Sequence, residues 1–209
     1  MPTTPDPIMA IVSSVISDSL KVRRVCTGHY YIIELKDEEL KDEGERKRRA
    51  MFEIEKIGNP VLREKSKEVS LEDVSLKKVI EEMKETLHSV KGLGLASNQV
   101  GILKRVFIYD IGDGPEVMIN PKVVWEDDEK VEDIEGCLSV PGIEVTVERA
   151  LKIRVEGLAL NGKKKTIEAE GLLARVMQHE IDHLNGTLII DRTTDEQRRE
   201  AMKKMLEGE

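Results

Sequence analysis

Between residues 71 and 90, apolar side chains recur at Leu71, Val74, Val79, Met83, Leu87 and Val90, with polar residues in the intervals. That spacing lays one apolar stripe along a 3.6-residue period and predicts a helix resting on a core. Further on the period shortens. Lys104–Ile111, Val117–Asn120, Lys122–Trp125, Ile143–Val147, Leu151–Leu160 and Lys165–Ala169 read as strands separated by turns. Asn161-Gly162, between the last two, is a strong hairpin signal, because both residue types tolerate the positive φ of a tight turn. Successive hairpins imply antiparallel pairing, so the class predicted is α+β. The run from Gly171 to Met177 is apolar and helix-favouring, which points to a buried helix, and Asn185-Gly186 stops it. Thr187–Ile190 reads as a short apolar strand, and Thr194 or Asp195 caps a closing amphipathic helix to about Leu206. Ahead of all this, Phe52–Ile57 alternates enough for a short strand or extended arm, and Gly58-Asn59-Pro60 turns the chain.

Composition narrows the function classes. The 209 residues make one ordinary domain, with or without an appendage, long enough to bury a core. A net charge of −8 argues against nucleic-acid binding driven by overall charge, and no apolar run is long enough to span a bilayer. Charged residues at 35% against 3% aromatics resemble the ion-pair-rich composition of heat-adapted proteins. Residues 1–50 differ from the rest. Ile8–Val12 is apolar, but no basic stretch precedes it, which argues against a secretory signal. Arg23-Arg24 fits a transit peptide, whereas Asp6 and Asp18 oppose one. Lys36–Arg49 is almost wholly charged and reads as a solvated helix or linker. Met51 resembles a natural start, so residues 1–50 are expected to be a dispensable leader or extension of unknown role.

The strongest chemistry lies in Gln178-His179-Glu180-Ile181-Asp182-His183-Leu184. Residues four apart stand one turn above each other on a helix, so His179 and His183 can reach one ion. Glu180 is then close enough to move a proton to or from water at that ion. Two histidines need a third ligand. Glu196 and Glu200 lie downstream, beyond Gly186, on a helix that reads as solvent-facing. Upstream, Glu135-Gly136-Cys137-Leu138-Ser139 offers a thiolate that completes a Cys/His/His site with one open position. Two cysteines, Cys26 and Cys137, make no disulfide framework, and beside H-E-x-x-H the ligand reading of Cys137 outweighs a small buried hydrophobe. Gly92-Leu93-Gly94 could suggest phosphate binding, but no G-x-G-x-x-G follows a strand. A glycine-rich helix end leading into a strand explains it as well, with Gln99 beyond it free to present an amide to a ligand. His88 reads as a partly exposed polar residue.

Taken together, these stretches resemble peptide deformylases of the bacterial type. Three motifs carry the likeness: Gly92 to Gln99, Glu135 to Ser139, and Gln178 to Leu184, with Gly58-Asn59-Pro60-Val61-Leu62-Arg63 resembling the family's opening segment. The likeness covers residues 51–209. Ser97 stands where the family usually has a second alanine, and Asn98 where it commonly has proline or threonine. The resemblance implies antiparallel or mixed sheets packed around a central helix carrying H-E-x-x-H, with an N-terminal and a C-terminal helix. It also implies removal of the formyl group from N-formylmethionine of nascent peptides, releasing formate. Cys137, His179 and His183 would hold one divalent metal, Fe2+ in many members and Zn2+, Ni2+ or Co2+ in others; ligand types alone suggest zinc. Metal-bound water would attack the formyl carbon with Glu180 as base and then acid, and the Gln99 amide and Leu138 N–H would stabilise the oxyanion. Leu93, Leu138 and Val176 would line the methionine pocket, although core packing explains Val176 nearly as well. Gly94 would let substrate backbone approach in strand-addition style. Gln178 and Glu135 are expected to steer the ligands, with Arg149 pairing Glu135.

The expected partners are formylmethionyl nascent peptides in the cytoplasm, with neither nucleic-acid readout nor a membrane. In bacterial relatives the C-terminal helix docks on the ribosome. Here Arg198, Arg199, Lys203 and Lys204 give it basic character that Glu196, Glu200 and Glu207 dilute, and a solvated closing helix is the reading the residues favour. Two rival classes stay open: a zincin-type endopeptidase, and a structural metal or binding protein.

Overall fold

The computed structural model describes residues 52–207, together with the backbone of two short strands, β1 (Leu20–Arg23) and β2 (Ile32–Leu35), which pair antiparallel. The chain divides into two units, Met1–Arg49 and Ala50–Glu209. The readings made for Ile8–Val12, Cys26 and Lys36–Arg49 lie outside the described residues.

In the second unit the first helix, α1, spans Leu76–Val90. It starts later than the periodicity suggests. The Asp73 carboxylate accepts hydrogen bonds from Ser75 N–H (2.9 Å) and Oγ (2.7 Å), a turn that competes with helix and leaves Val74 97% exposed. The helix stops at Lys91 in the left-handed region (φ 53°), and the chain runs directly into β3 (Gly94–Ala96). Then come β4 (Val106–Tyr109), β5 (Glu116–Glu126), β6 (Lys130–Cys137), β7 (Val140–Ala150), β8 (Lys152–Leu158), β9 (Lys164–Glu170), α2 (Leu172–Leu184) and α3 (Asp195–Glu207). One five-stranded sheet has the order β3-β4-β5-β8-β9, and β6-β7 form a separate ribbon; the paired strands are antiparallel.

Two expected strands, Val117–Asn120 and Lys122–Trp125, are one strand, β5, with a register shift between Ile119 and Lys122. Asn120 at positive φ (52°) makes the bulge, and its side chain ties to Val69 N–H and C=O at 2.9 Å each. Pro121 is tolerated there because the ladder is already interrupted. Strand β6 escaped periodicity altogether, since five of its eight residues are not apolar and its partner β7 supplies the pairing. Thr187–Ile190 is not a strand. Leu188 is extended, but Ile189–Asp191 forms a 3-10 turn whose Asp191 carboxylate accepts Leu188 N–H at 2.8 Å. Phe52–Ile57 is an arm rather than a named strand, and Thr194 caps α3 through its hydroxyl and carbonyl.

The core explains why β4, Val-Phe-Ile-Tyr, is buried throughout. Phe107 and Tyr109 point into a cluster with Ala174, Met177, Ile181 and Leu184 of α2. Val106 and Ile108 join the opposite cluster with Leu76, Ile80, Met83 and Leu87 of α1. A third cluster joins β7 to the 3-10 turn and to Ala201 of α3. Among the described residues no helix is long and apolar enough to cross a membrane.

Candidate metal centre

Helix α2 presents His179, Glu180 and His183 near its end, while Cys137 ends β6. The ribbon register shifts between Gly136 and Cys137, a bulge that re-aims the last side chain. Sulfur and ring nitrogens converge as a result. Cys137 Sγ lies 3.1 Å from His183 Nε2, which lies 3.2 Å from His179 Nε2. One ligand atom from each of the three residues falls within 4.8 Å of the others.

The surroundings give the donors charge and direction. Burial pushes the Cys137 thiol up, but neighbouring His183 and His179 outweigh it and hold the group well below its ordinary value. Burial pulls His179 down, and hydrogen bonds to Cys137 and Glu135 more than reverse this. Glu135, 1% exposed, is likewise raised by burial and lowered further by His179 and Arg149. Its Oε2 meets His179 Nδ1 at 3.0 Å, which leaves Nε2 of that ring for the centre. Arg149 grips Glu135 through Nε and Nη2 (2.9 and 3.0 Å) and also reaches Asp182, which Arg192 pairs from the other side.

Glu180 is the exception. It is 3% exposed, its Oε2 has no hydrogen-bond partner among the described residues, and burial raises its pKa to about 7 against the opposing pull of His179 and His183. A buried carboxyl with an unpartnered oxygen, beside a thiol and two imidazoles, fits a site built for a cation and a water, since it is expensive otherwise. Three soft or borderline donors also suit Fe2+, Zn2+, Ni2+ or Co2+ better than a hard ion.

Gln99, 1% exposed, sits in the Ser97–Val100 3-10 turn. Its Oε1 accepts Ala96 N–H at 2.8 Å, which only an oxygen can do, so Nε2 must face the centre. That nitrogen lies 3.3 Å from Ser139 Oγ and 3.8 Å from Cys137 Sγ. Leu138 follows Cys137, with its carbonyl accepting Lys56 Nζ (2.8 Å) and its side chain packed over Gly92. Leu93 packs against the apolar cluster of α2, and Val176, 7% exposed, belongs to that cluster. A Cβ at Gly94 would collide with Glu180 Oε1, so the missing side chain makes room for that carboxyl.

Gln178 does not touch a ligand. It bridges Ala150 N–H (3.1 Å) and C=O (3.0 Å), joining α2 to the end of β7. The sequence assigns no role at the centre to Arg175, to Ser139 or to the arm, whose Glu55 and Ile57 N–H groups bond Gln99 O (2.7 Å) and Ser139 O (2.8 Å). Arg175 was legible in principle, standing one turn before His179 on the same face. A cleft of about 620 Å3 opens between the ribbon and α3, lined by residues such as Ile143, Thr146, Gln197 and Lys204; Leu93, Gly94 and Val176 are not among its walls.

An α+β scaffold presenting Cys/His/His donors, a buried carboxyl and an aimed amide defines a metal-dependent hydrolase of the H-E-x-x-H kind. Residues 51–199 match the family model described as polypeptide deformylase, and the chain belongs to that family. It is 51% identical over 145 residues to a peptide deformylase of Clostridium botulinum, covering 69% of this chain and 98% of that one. The match to the Desulfitobacterium hafniense peptide deformylase is 45% over 150 residues, 72% of this chain and 99% of the other. Among solved structures, peptide deformylase from Thermotoga maritima superposes with TM-score 0.68 at 47% identity, covering 70% and 99% of the two chains. The Ehrlichia chaffeensis peptide deformylase in complex with actinonin gives 0.72 at 39% identity, covering 77% and 99%.

Proposed function

We propose that Cys137, His179 and His183 hold one divalent metal, Fe2+ by preference, at which this enzyme removes the N-formyl group from formylmethionyl nascent peptides and releases formate. The carrying observation is the buried Glu180 carboxyl, without a hydrogen-bond partner among the described residues, beside the three converging donors. When bound, the metal supplies Lewis acidity that lowers the pKa of water. Glu180 takes the proton of the attacking water and returns it to the departing amine. The Gln99 Nε2–H and the Leu138 backbone N–H donate to the oxyanion that forms on the formyl carbon. Gln99 is pre-aimed, because Ala96 N–H holds its oxygen back. Leu93, Leu138 and Val176 receive the methionine side chain, and Gly94 leaves Glu180 its space while allowing peptide backbone near.

Helix α2 is, in this reading, the central element on which the sheet and the ribbon are arranged. The catalytic domain starts at Met51 and residues 1–50 are dispensable. The enzyme works in the cytoplasm, where α3 offers a weakly basic face to the ribosome.

The deciding experiment gives anaerobically prepared, Fe2+-, Ni2+- or Co2+-loaded protein a formylmethionyl peptide and measures formate. Formate release that Glu180→Ala abolishes supports the reading. Cleavage of an internal peptide bond with no formate would make the chain an endopeptidase, and loaded protein inert toward both would make the site structural. Protein starting at Met51 should match full-length protein in rate.

A further inference from the structure

We propose that Arg175 is a positioning residue for the metal site, acting on His179 through Glu135 and tying the cysteine-bearing ribbon to the histidine-bearing helix. This rests on the metal-site reading above. The Arg175 side chain is 11% exposed, and its fork reaches three acceptors at once. Nη1 donates to Glu135 Oε1 at 2.7 Å and to Val147 O at 2.9 Å, and Nη2 donates to Val131 O at 2.7 Å. Those carbonyls belong to the two paired strands of the ribbon, one on β6 and one on β7.

The ligand set is divided between two elements. Cys137 comes from the ribbon and both histidines come from α2, so their convergence depends on how the ribbon lies against the helix. Gln178 pins the far end of β7 to α2, and Arg149, beside that end, reaches Asp182 of α2. Arg175, one turn before His179, reaches farther along the ribbon, to Val131, Val147 and Glu135.

Glu135 closes the circuit. Arg149 alone would leave its carboxylate on a single guanidinium that stems from the ribbon and meets α2 only through Asp182. With Arg175 on Oε1, the carboxylate is held from the same helix that carries His179, and Oε2 is directed at Nδ1 of that ring. A lysine has no planar fork and cannot serve three acceptors spread this way. A purely structural Arg175 would make the same bonds but would change stability without changing how the ion is held.

The test uses full-length protein loaded with Co2+. Release to a chelator and the visible thiolate-to-Co2+ absorption are followed for wild type, Arg175→Met, Arg175→Lys, Glu135→Gln and the double variant Glu135→Gln/Arg175→Met. Arg175→Met should release Co2+ roughly 10- to 100-fold faster and shift the absorption, with Arg175→Lys between it and wild type. In the Glu135→Gln background, adding Arg175→Met should change release by less than about twofold, because its route is already cut. Release from Arg175→Met within about twofold of wild type overturns the proposal, whatever its melting temperature. Two effects that multiply in the double variant overturn the route through Glu135. Should Arg175→Met fail to fold, Arg175→Lys decides, and unchanged release and absorption in it count against the proposal. Cys137→Ser separates the two readings: if it leaves Co2+ binding and absorption unchanged, the metal site itself is wrong and this inference falls with it.

Discussion

On one side of α2, Ala174, Met177, Ile181 and Leu184 lie in an apolar cluster with Phe107, Met118 and Val155. On the other side, Arg175, His179 and Asp182 lie among Glu135, Arg149 and Arg192. Both sides are largely shielded from solvent, with only Arg192 of these residues half exposed, yet they do different work. Apolar burial is non-directional and follows area, so it holds the helix down without caring much about a few tenths of an ångström. The ionic side is directional: every carboxylate oxygen has a named donor, and losing one partner strands a buried charge. Stability therefore sits mainly with the first face and geometry with the second, and the reacting groups occupy the edge between them.

Substitutions can separate the faces. The largest effect belongs to Glu180→Ala, expected to lower deformylation by about 10^2- to 10^4-fold in a formate assay while the fold survives. Stability should even favour Glu180→Gln in metal-free protein. Because burial raises the folded-state pKa from 4.5 to about 7, the neutral carboxyl is favoured in the fold. The wild type is then unpenalised below about pH 4.5 and loses ground as pH rises through 7, on the order of 3 kcal/mol relative to Glu180→Gln. Denaturant melts of both proteins across that window check the sign. Gln99→Ala should lower kcat about 10^2-fold, since one oxyanion donor is lost, and should also cost roughly 1 to 3 kcal/mol in unfolding, because the buried Ala96 N–H loses its acceptor.

The apolar face predicts the opposite pattern. Ile181→Val, 7% exposed in the wild type, should cost roughly 0.5 to 1.5 kcal/mol in a denaturant melt and leave kcat of the folded enzyme unchanged. Smallest of all is Arg154→Gln, which breaks a solvent-exposed pair with Glu168 (2.7 Å) and should shift stability by less than about 1 kcal/mol. A large loss there would mean that ion pairs matter as much on the surface as around Glu135.

The apolar face was also the more legible in sequence. Period 3.6 located α1, an apolar helix-favouring run located α2, strand patterning located the middle of β7 with β8 and β9, and Asn161-Gly162 marked the β8–β9 connection, where Gly162 does take positive φ (81°). Features set by side chain–backbone competition were not legible: the Asp73–Ser75 turn that delays α1, the Asn120 bulge, and the Asp191 cap that makes a 3-10 turn of an apolar run. Strand β6 was invisible because charges dominate it, although its Glu135 is buried against three partners. At the centre, helical spacing put His179 and His183 on one face, whereas no spacing rule says that Cys137, more than forty residues earlier, arrives beside them. The need for a third donor pointed to that cysteine, and the family likeness agreed with it. Neither spacing nor likeness indicated that Gly94 is small because of Glu180.

The most direct test of the central claim is X-ray absorption at the metal edge of Co2+- or Zn2+-loaded protein, with Cys137→Ser measured alongside. One sulfur and two imidazole nitrogens in the wild type, with the sulfur signal gone in Cys137→Ser, is the predicted result. A wild-type centre with no sulfur neighbour would contradict it.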